Sequence, residues 1–167
     1  MMKLIENINH LSKKEFINKF GNIFEKSNWI ASEVFIMRPF KNSRDLLNKM
    51  INIYDITSKK KIIKIFNLHP ELAIEKKLTK FSLREQAGAQ LNKCTKEELE
   101  EFNQLNLKYK KKFKFPYIIA VKGKNKKEIL NNFRSRIKNN HEIEFNEAKL
   151  QVRKIASIRL NDILNIS

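Results

Sequence analysis

Glycine and proline are scarce in this chain, and that scarcity limits the folds it can adopt. Its 167 residues include only 3 glycines and 3 prolines. Hairpins and tight turns depend on these residue types, so an architecture with many strand-to-strand turns is disfavoured. Hydrophobic residues make up 41% of the chain and charged residues 32%, which is typical of a globular protein. The sequence therefore favours helices, and its length suits one domain over residues 1–167.

Apolar residues recur at helical spacing along most of the chain. Capping boxes predict helix starts at Ser12 and Thr95, because each is followed three residues later by a glutamate. The run "FPYIIAV" is short and apolar, and is interpreted as a buried strand or an extended connection. We predict an all-α bundle of about seven or eight helices with one short extended segment near residues 115–121. The clearest helical segments are residues 12–25, 27–38, 43–56, 59–66, 95–115, 126–138 and 143–164.

The net charge of +17 raises nucleic acid as a partner. Only 7 of the 35 basic residues are arginine, however, and the lysines are spread along the whole length. Base and phosphate recognition favours arginine, and single strands bind where basic and aromatic residues form one strip. A small basic helical nucleic-acid-binding protein therefore remains the alternative function, and nucleic acid is not the expected partner.

Other patterns exclude further classes of protein. No stretch reaches the roughly 18 to 20 apolar residues of a membrane span, and the first residues lack the apolar middle of a signal peptide. The single cysteine, Cys94, fits a reducing compartment. We therefore expect a cytoplasmic protein without a membrane partner. Three separated histidines and one cysteine give no ligand spacing, so no metal site is predicted.

His69 interrupts a run of good helix formers. The proline at position 70 pushes the residue before it out of the helical region, which turns the imidazole away from the preceding helix end. Histidine is the side chain that changes charge near neutral pH without help. A polar residue on a loop is the alternative interpretation.

The segment "SLREQAGAQL" is the second place where the pattern breaks. Ser82 and Glu85 satisfy the capping-box spacing, so one interpretation makes them the start of a helix. Gln86 follows at once, and Gly88 costs up to about 1 kcal/mol inside a helix. That cost suggests that backbone or a ligand comes close to Gly88.

Arg159 is the third break, because it falls on the apolar stripe of the last helix between Ile155 and Ile163. A snorkelling arginine, or one paired with a core carboxylate, would explain it. Together with His69 and Glu85, however, it completes the group types of a small-molecule site: a base or acid, a carboxylate and an anion clamp.

The residues at these breaks resemble those of a known family. The segments that carry the likeness are "FGNIFEKSNWIA", "RPF", "HPELA", "SLREQAGAQL", "FNQLNLKYKKKFKFPYIIAVKG" and "AKLQVRKIASIRLNDIL". In this order, from about residue 12 to 164, they are similar to the decarboxylases of 2-oxo-4-hydroxy-4-carboxy-5-ureidoimidazoline (OHCU). The chain departs from the family pattern at Asn28, where the family usually has proline, and at Ile74 and Lys114, where it usually has glycine.

The resemblance implies an all-helical, homodimeric, cofactor-free enzyme that forms (S)-allantoin in urate degradation. It makes His69 and Glu85 the catalytic pair. The substrate-binding residues that it implies are Pro70, Ser82, Gln86, Ile118, Ile119, Ala120, Val121, Lys122 and Arg159. A subunit that keeps this fold without turnover is a further alternative.

Overall fold

The computed structural model describes residues 2–73 and 78–164. Nine α-helices and one short 3-10 helix lie in these ranges, which hold no β-strand. The all-α prediction is therefore confirmed, with one helix more than the upper expected number. The additional helix is α1, near the N-terminus, which the sequence analysis did not predict; its Ile5 and Ile8 are buried.

The helices follow one another with short connections. Their bounds are α1 Met2–Asn9, α2 Lys13–Phe20, α3 Asn28–Phe35, α4 Ser43–Ile56, α5 Lys59–Leu68, α6 Lys80–Gly88, α7 Lys96–Phe113, α8 Lys126–Arg136 and α9 His141–Leu164, with the 3-10 helix at Leu91–Lys93. Ser12 and Thr95 form the predicted capping boxes with Glu15 and Glu98. None of the helices in the described ranges has both the length and the hydropathy needed to cross a bilayer.

The chain divides into two compact units. The first comprises Met1–Ile65 and Arg153–Ser167, and the second comprises Phe66–Val152. In the first unit, Phe16 packs against Phe20 and Phe35, at centroid distances of 4.7 and 5.6 Å. Helix α2 ends at Phe20, earlier than the predicted Glu25, because the chain turns at the cap residue Gly21. The residues after this cap therefore form a turn whose side chains are available for the core.

The second unit is organised around an aromatic cluster. Tyr117 stacks on Phe133 with a centroid separation of 3.8 Å, and Tyr109 meets both rings edge-on. Residues 116–121 adopt neither helix nor strand, and all of them are buried. The predicted extended segment is thus a core element, and α7, α8 and α9 supply the residues that bind it.

Candidate active site

His69 directly follows the last residue of α5, and its side chain is 7% exposed. The backbone N–H of His69 donates to the carbonyl of Phe66 at 3.1 Å, so the last helical hydrogen bonds of α5 end at this residue. The imidazole Nε2 is also buried. His69 does lie in the bend between α5 and Pro70, as the loop interpretation has it, but its side chain is withdrawn from bulk water.

The residues just before His69 contact the beginning of the extended segment. Asn67 donates its Nδ2 hydrogen to the carbonyl of Lys114 at 3.3 Å. The rings of Phe66 and Phe115 lie 5.0 Å apart. These two contacts tie the end of α5 to the end of α7, so they limit how His69 can move relative to residues 115–121.

The turn just after Pro70 is held by two buried carboxamides. Gln86, on α6, accepts from the N–H of Ala73 at 3.1 Å and donates to the carbonyl of Glu71 at 3.3 Å. Asn106, on α7, donates to the carbonyl of Leu72 at 3.0 Å. Because residues 71–73 are bonded from two helices, the His69–Pro70 step is restrained on both sides. Asn106 was not predicted from the sequence, although it lies on the apolar stripe of α7, four residues after Phe102.

Helix α6 begins earlier than the capping-box interpretation required. Its N-cap is Thr79, whose hydroxyl accepts from the N–H of Ser82 at 3.3 Å and lies 3.1 Å from the Ser82 hydroxyl. Ser82 is buried and Glu85 is half-buried, one turn further along the helix. The predicted capping box at Ser82 is therefore wrong, although Ser82 and Glu85 do lie in the first two turns of a helix. Ser82 and Gln86 share one face, since they are four residues apart.

The structure tests one part of the expectation for Gly88, which is the close approach of backbone. Gly88 is the last residue of α6, and a Cβ added there would meet no described atom within 4 Å. The predicted close approach of backbone is therefore wrong for the part of the chain that the structure describes. The helix tolerates glycine here because Gly88 is exposed and lies at the helix end, where the backbone is already weakly constrained.

Lys114 ends α7 in the left-handed conformation, with φ of +66°. A side chain makes this conformation unfavourable, which is why glycine is the usual residue at such a position. This conformation explains why the family usually has glycine at this position. The present chain has Lys114 there instead. The other expected glycine, at Ile74, lies outside the described residues.

Arg159 points into the core of the first unit, as its place on the apolar stripe predicted. Its side chain is 1% exposed, and its Nη2 lies 2.9 Å from Oε2 of Glu25, which is equally buried. Its Nη1 donates to the carbonyls of Asn22 and Ile23 at 3.1 and 3.4 Å. The alternative of pairing with a core carboxylate is therefore realised. Glu25 was not predicted as the partner, because the sequence pattern predicts a helix that continues to that residue.

The backbone of residues 118–121 is bonded mainly by side chains from α8 and α9. Arg136 donates to the carbonyl of Ile118 at 2.7 Å, and Gln151 accepts from the N–H of Ala120 at 2.9 Å. Ile118, Ile119, Ala120 and Val121 are buried, whereas Lys122 is exposed. The predicted substrate-binding backbone is therefore a buried strip, residues 118–121, that side chains of α8 and α9 hold in place. Lys122 follows it and is exposed to solvent.

Arg136 is itself fixed by a buried polar network. Its Nε and Nη2 donate to Oε1 of Glu144 at 2.9 and 2.5 Å, and Tyr109 donates to the same oxygen. Asn139 donates to the other oxygen at 2.8 Å. Burial alone would lower the pKa of Arg136, but the hydrogen bonds and charge of Glu144 raise it above its ordinary value. Burial also raises the pKa of Tyr109, so the network consists of a cation, a protonated phenol and one carboxylate.

Most of the predicted site residues belong to the second unit. His69, Pro70, Ser82, Glu85, Gln86 and residues 118–122 all lie within Phe66–Val152, whereas Arg159 belongs to the first unit. These residues include a buried imidazole, a half-buried carboxylate, a buried side-chain carboxamide and the buried backbone of residues 118–121. These groups can move a proton and bind the amide edges of a small polar molecule. No cluster of three or more metal-ligating side chains occurs among the described residues.

Fold and site together define an all-α protein with a histidine-centred candidate site for a small molecule. The chain belongs to the OHCU decarboxylase family, whose model matches residues 9–161.

Relatives of the chain occur in bacteria and archaea. It is 41% identical over 163 residues to the uric acid degradation bifunctional protein of Bacillus sp. strain TB-90, covering 98% of this chain but only 32% of that protein. The chain thus spans about a third of the length of that relative. It is 31% identical to the 2-oxo-4-hydroxy-4-carboxy-5-ureidoimidazoline decarboxylase of Haloferax volcanii, with 93% of each protein covered.

Two solved structures share the fold. The crystal structure of (S)-allantoin synthase superposes with a TM-score of 0.77 at 26% identity, over 95% of this chain and 53% of that one. The structure of OHCU decarboxylase in the presence of (S)-allantoin gives a TM-score of 0.73 at 22% identity, over 93% of this chain and 99% of that one.

Proposed function

We propose that the chain decarboxylates 2-oxo-4-hydroxy-4-carboxy-5-ureidoimidazoline to (S)-allantoin in urate degradation, without a cofactor. One observation carries the proposal: His69 is buried immediately after α5, and the backbone on both of its sides is braced by neighbouring helices. An imidazole held in this way suits stereospecific proton delivery, because the direction of the proton is set by the protein. Membership of the OHCU decarboxylase family supports the same substrate.

The reaction makes two demands on the protein. Loss of CO2 leaves an electron pair on the ring carbon, which the conjugated carbonyl and imine of the substrate can accept. The protein must therefore hold the carboxylate away from water and protonate one face of the resulting carbanion. We assign the proton transfer to His69, with Glu85 orienting the imidazole or exchanging its proton.

The remaining residues would bind and orient the substrate. Ser82 and the backbone of residues 118–122 would bond to the ring and ureido amides, and Pro70 would close one side. Gln86 would contribute the second hydrogen of its Nε2, because its oxygen and one N–H are used by the 71–73 turn. Arg159, oriented by its ion pair with Glu25, would anchor a carboxylate or carbonyl oxygen.

The chirality of the product provides the decisive test. The substrate decomposes unaided to racemic allantoin, so disappearance of substrate alone is a poor measure of catalysis. With substrate freshly generated from urate, the protein should give an excess of (S)-allantoin and a faster reaction than buffer. A racemic product at the rate of the uncatalysed reaction would reject the proposal.

The proposal includes a homodimer, a cytoplasmic location and a single functional domain over residues 1–167.

The nucleic-acid alternative has less support, because basic side chains on α7 and α8 are engaged by protein carboxylates. Lys110 pairs with Glu71 at 2.9 Å, and Arg134 pairs with Glu101 at 2.6 Å. Steeply salt-dependent binding to DNA or RNA, independent of His69, would restore that alternative.

A further inference from the structure

The buried strip at residues 118–121 has two polar edges. In extended backbone, the N–H and C=O groups of alternate residues point to opposite sides. The carbonyl of Ile118 and the N–H of Ala120 are both bonded, at 2.7 and 2.9 Å, by side chains of α8 and α9. The edge that contains Ile118 and Ala120 is therefore occupied by the protein, and the backbone groups of Ile119 are directed to the other edge.

Ile119 is left with unused backbone groups although it is 5% exposed. Within residues 2–73 and 78–164, neither its N–H nor its C=O has a hydrogen-bond partner. Buried backbone groups are almost always paired, so an unpaired donor and acceptor on one residue require a partner from elsewhere. A cyclic amide or a ureido group has the adjacent acceptor and donor that would satisfy both.

The orientation of this edge depends on Gln151. Gln151 is 8% exposed. Its side-chain oxygen accepts from the N–H of Ala120, and its Nε2 donates to Oε1 of Glu147 at 2.7 Å. A carboxylate can only accept hydrogen bonds, so Glu147 forces the NH2 group of Gln151 towards itself and the oxygen towards Ala120. Arg136, held by Glu144, fixes the carbonyl of Ile118 in the same way.

We infer that Gln151 is a positioning residue: by holding the Ala120 N–H it presents the backbone of Ile119 to the amide edge of the substrate. The identity of that substrate rests on the proposed function. Gln151 does not touch the reacting atoms. Its removal should therefore change the affinity for substrate and the chirality of the product indirectly, by displacing the backbone of Ile119.

Kinetic comparison of Gln151→Met with wild type is the first arm of the test. Methionine has a similar volume but no acceptor for the Ala120 N–H. Misplacing the strip should lower kcat/KM by about 10- to 100-fold, mainly through KM, and should reduce the excess of (S)-allantoin. In the double variant Gln151→Glu with Glu147→Gln, the carboxylate at position 151 again accepts from the Ala120 N–H, and only the bond between positions 147 and 151 reverses its direction, so this variant should recover most of the loss.

A matched control is available in the first unit. Asn9 also braces backbone with a carboxamide, bonding the carbonyl and the N–H of Phe40 at 3.0 and 2.8 Å. Asn9→Leu should lower stability but leave KM and product chirality unchanged. Equal kinetic defects in Asn9→Leu and Gln151→Met would show a general loss of stability and would overturn the inference.

Amide spectra provide a second arm that does not need turnover. In the wild-type chain, added (S)-allantoin should shift the amide resonance of Ile119 more than that of Ala120, and Gln151→Met should diminish the Ile119 shift. Should Gln151→Met fail to fold, Gln151→Asn, which withdraws the acceptor by one methylene, takes its place. The inference is contradicted if (S)-allantoin does not shift the Ile119 resonance, or if it shifts that resonance equally in the wild-type chain and in the variant. An Ile119 response without (S)-allantoin production would reject only the proposed function.

Discussion

Arg159 and Glu25 form an ion pair in which Nη2 and Oε2 are 2.9 Å apart and both side chains are 1% exposed. Such a pair is costly to bury, and its value lies in the geometry it imposes on the two groups. The carbonyls of Asn22 and Ile23 bond to the same guanidinium. The turn after α2 thus sets the direction of the arginine that we propose as the substrate anchor.

Removing the charge of Glu25 should be strongly destabilising. Glu25→Gln removes the negative charge that lies 2.9 Å from the buried guanidinium of Arg159, and breaking a buried ion pair in this way typically costs about 3–5 kcal/mol. The measurement is the free energy of unfolding in urea. The exposed pair of Arg134 and Glu101 supplies a control, because Glu101→Gln should cost less than about 1 kcal/mol. Similar losses in the two variants would contradict this account of the buried pair.

His69→Asn should abolish most turnover and preserve the fold. A positioned acid or base contributes about 10²- to 10⁴-fold to the rate, so a loss of at least this size is expected in the chiral assay. His10→Asn is the matched control, because His10 is exposed and lies outside the proposed site. Circular dichroism should give the same spectrum for both variants. Near-normal activity of His69→Asn would refute its catalytic role.

Local chemistry explains what the sequence could predict. The capping boxes at Ser12 and Thr95 need only residues three positions apart, and both formed as expected. The inward direction of Arg159 followed from the spacing of one helix. Each of these inferences depends on neighbours along the chain, where periodicity and capping rules apply directly.

The missed residues are those whose roles depend on distant partners. Arg136 lies three residues after Phe133, on the apolar stripe of α8, and this position could have identified it as a buried cation. Its carboxylate partner Glu144 and its acceptor at Ile118 could not be assigned, because no rule of local spacing connects them. Gln151 was overlooked for the same reason: its acceptor role exists only once the strip lies against α9.

The glycines at positions 21 and 88 should respond oppositely to alanine. Gly88→Ala is expected to stabilise the protein by up to about 1 kcal/mol, since alanine is the better helix former and the new methyl meets open space. At Gly21 the new Cβ would lie 2.6 Å from the carbonyl of Ile17 and 2.7 Å from Oδ1 of Asn28, so Gly21→Ala should destabilise. Thermal unfolding measures both effects. Loss of activity in a stable Gly88→Ala variant would mean that substrate approaches Gly88 after all.

Glycine at position 114 should stabilise the chain by about 1 kcal/mol. Lys114→Gly removes the side chain that makes φ of +66° unfavourable. The bonds from Lys114 N–H to Lys110 and from Asn67 to the Lys114 carbonyl involve its backbone and should remain. Lys111→Gly, inside α7, is the control and should cost up to about 1 kcal/mol. Urea unfolding of both variants should therefore give changes of opposite sign, and a loss at both positions would show that the left-handed cap is not strained.

Acid should remove a contribution that Glu98 makes to stability. The side-chain hydrogen bond with Lys126 and then the N–H of Thr95 lower the pKa of Glu98 below its ordinary value of 4.5. A carboxyl whose pKa is lower in the folded state stabilises that state above its unfolded pKa, and the contribution disappears as pH falls through the folded pKa. The difference in unfolding free energy between wild type and Glu98→Gln should thus be constant near neutral pH and shrink below pH 4.5. Lys126→Met removes the main cause of the shift and should reduce the acid-sensitive part; a difference independent of pH would contradict this assignment.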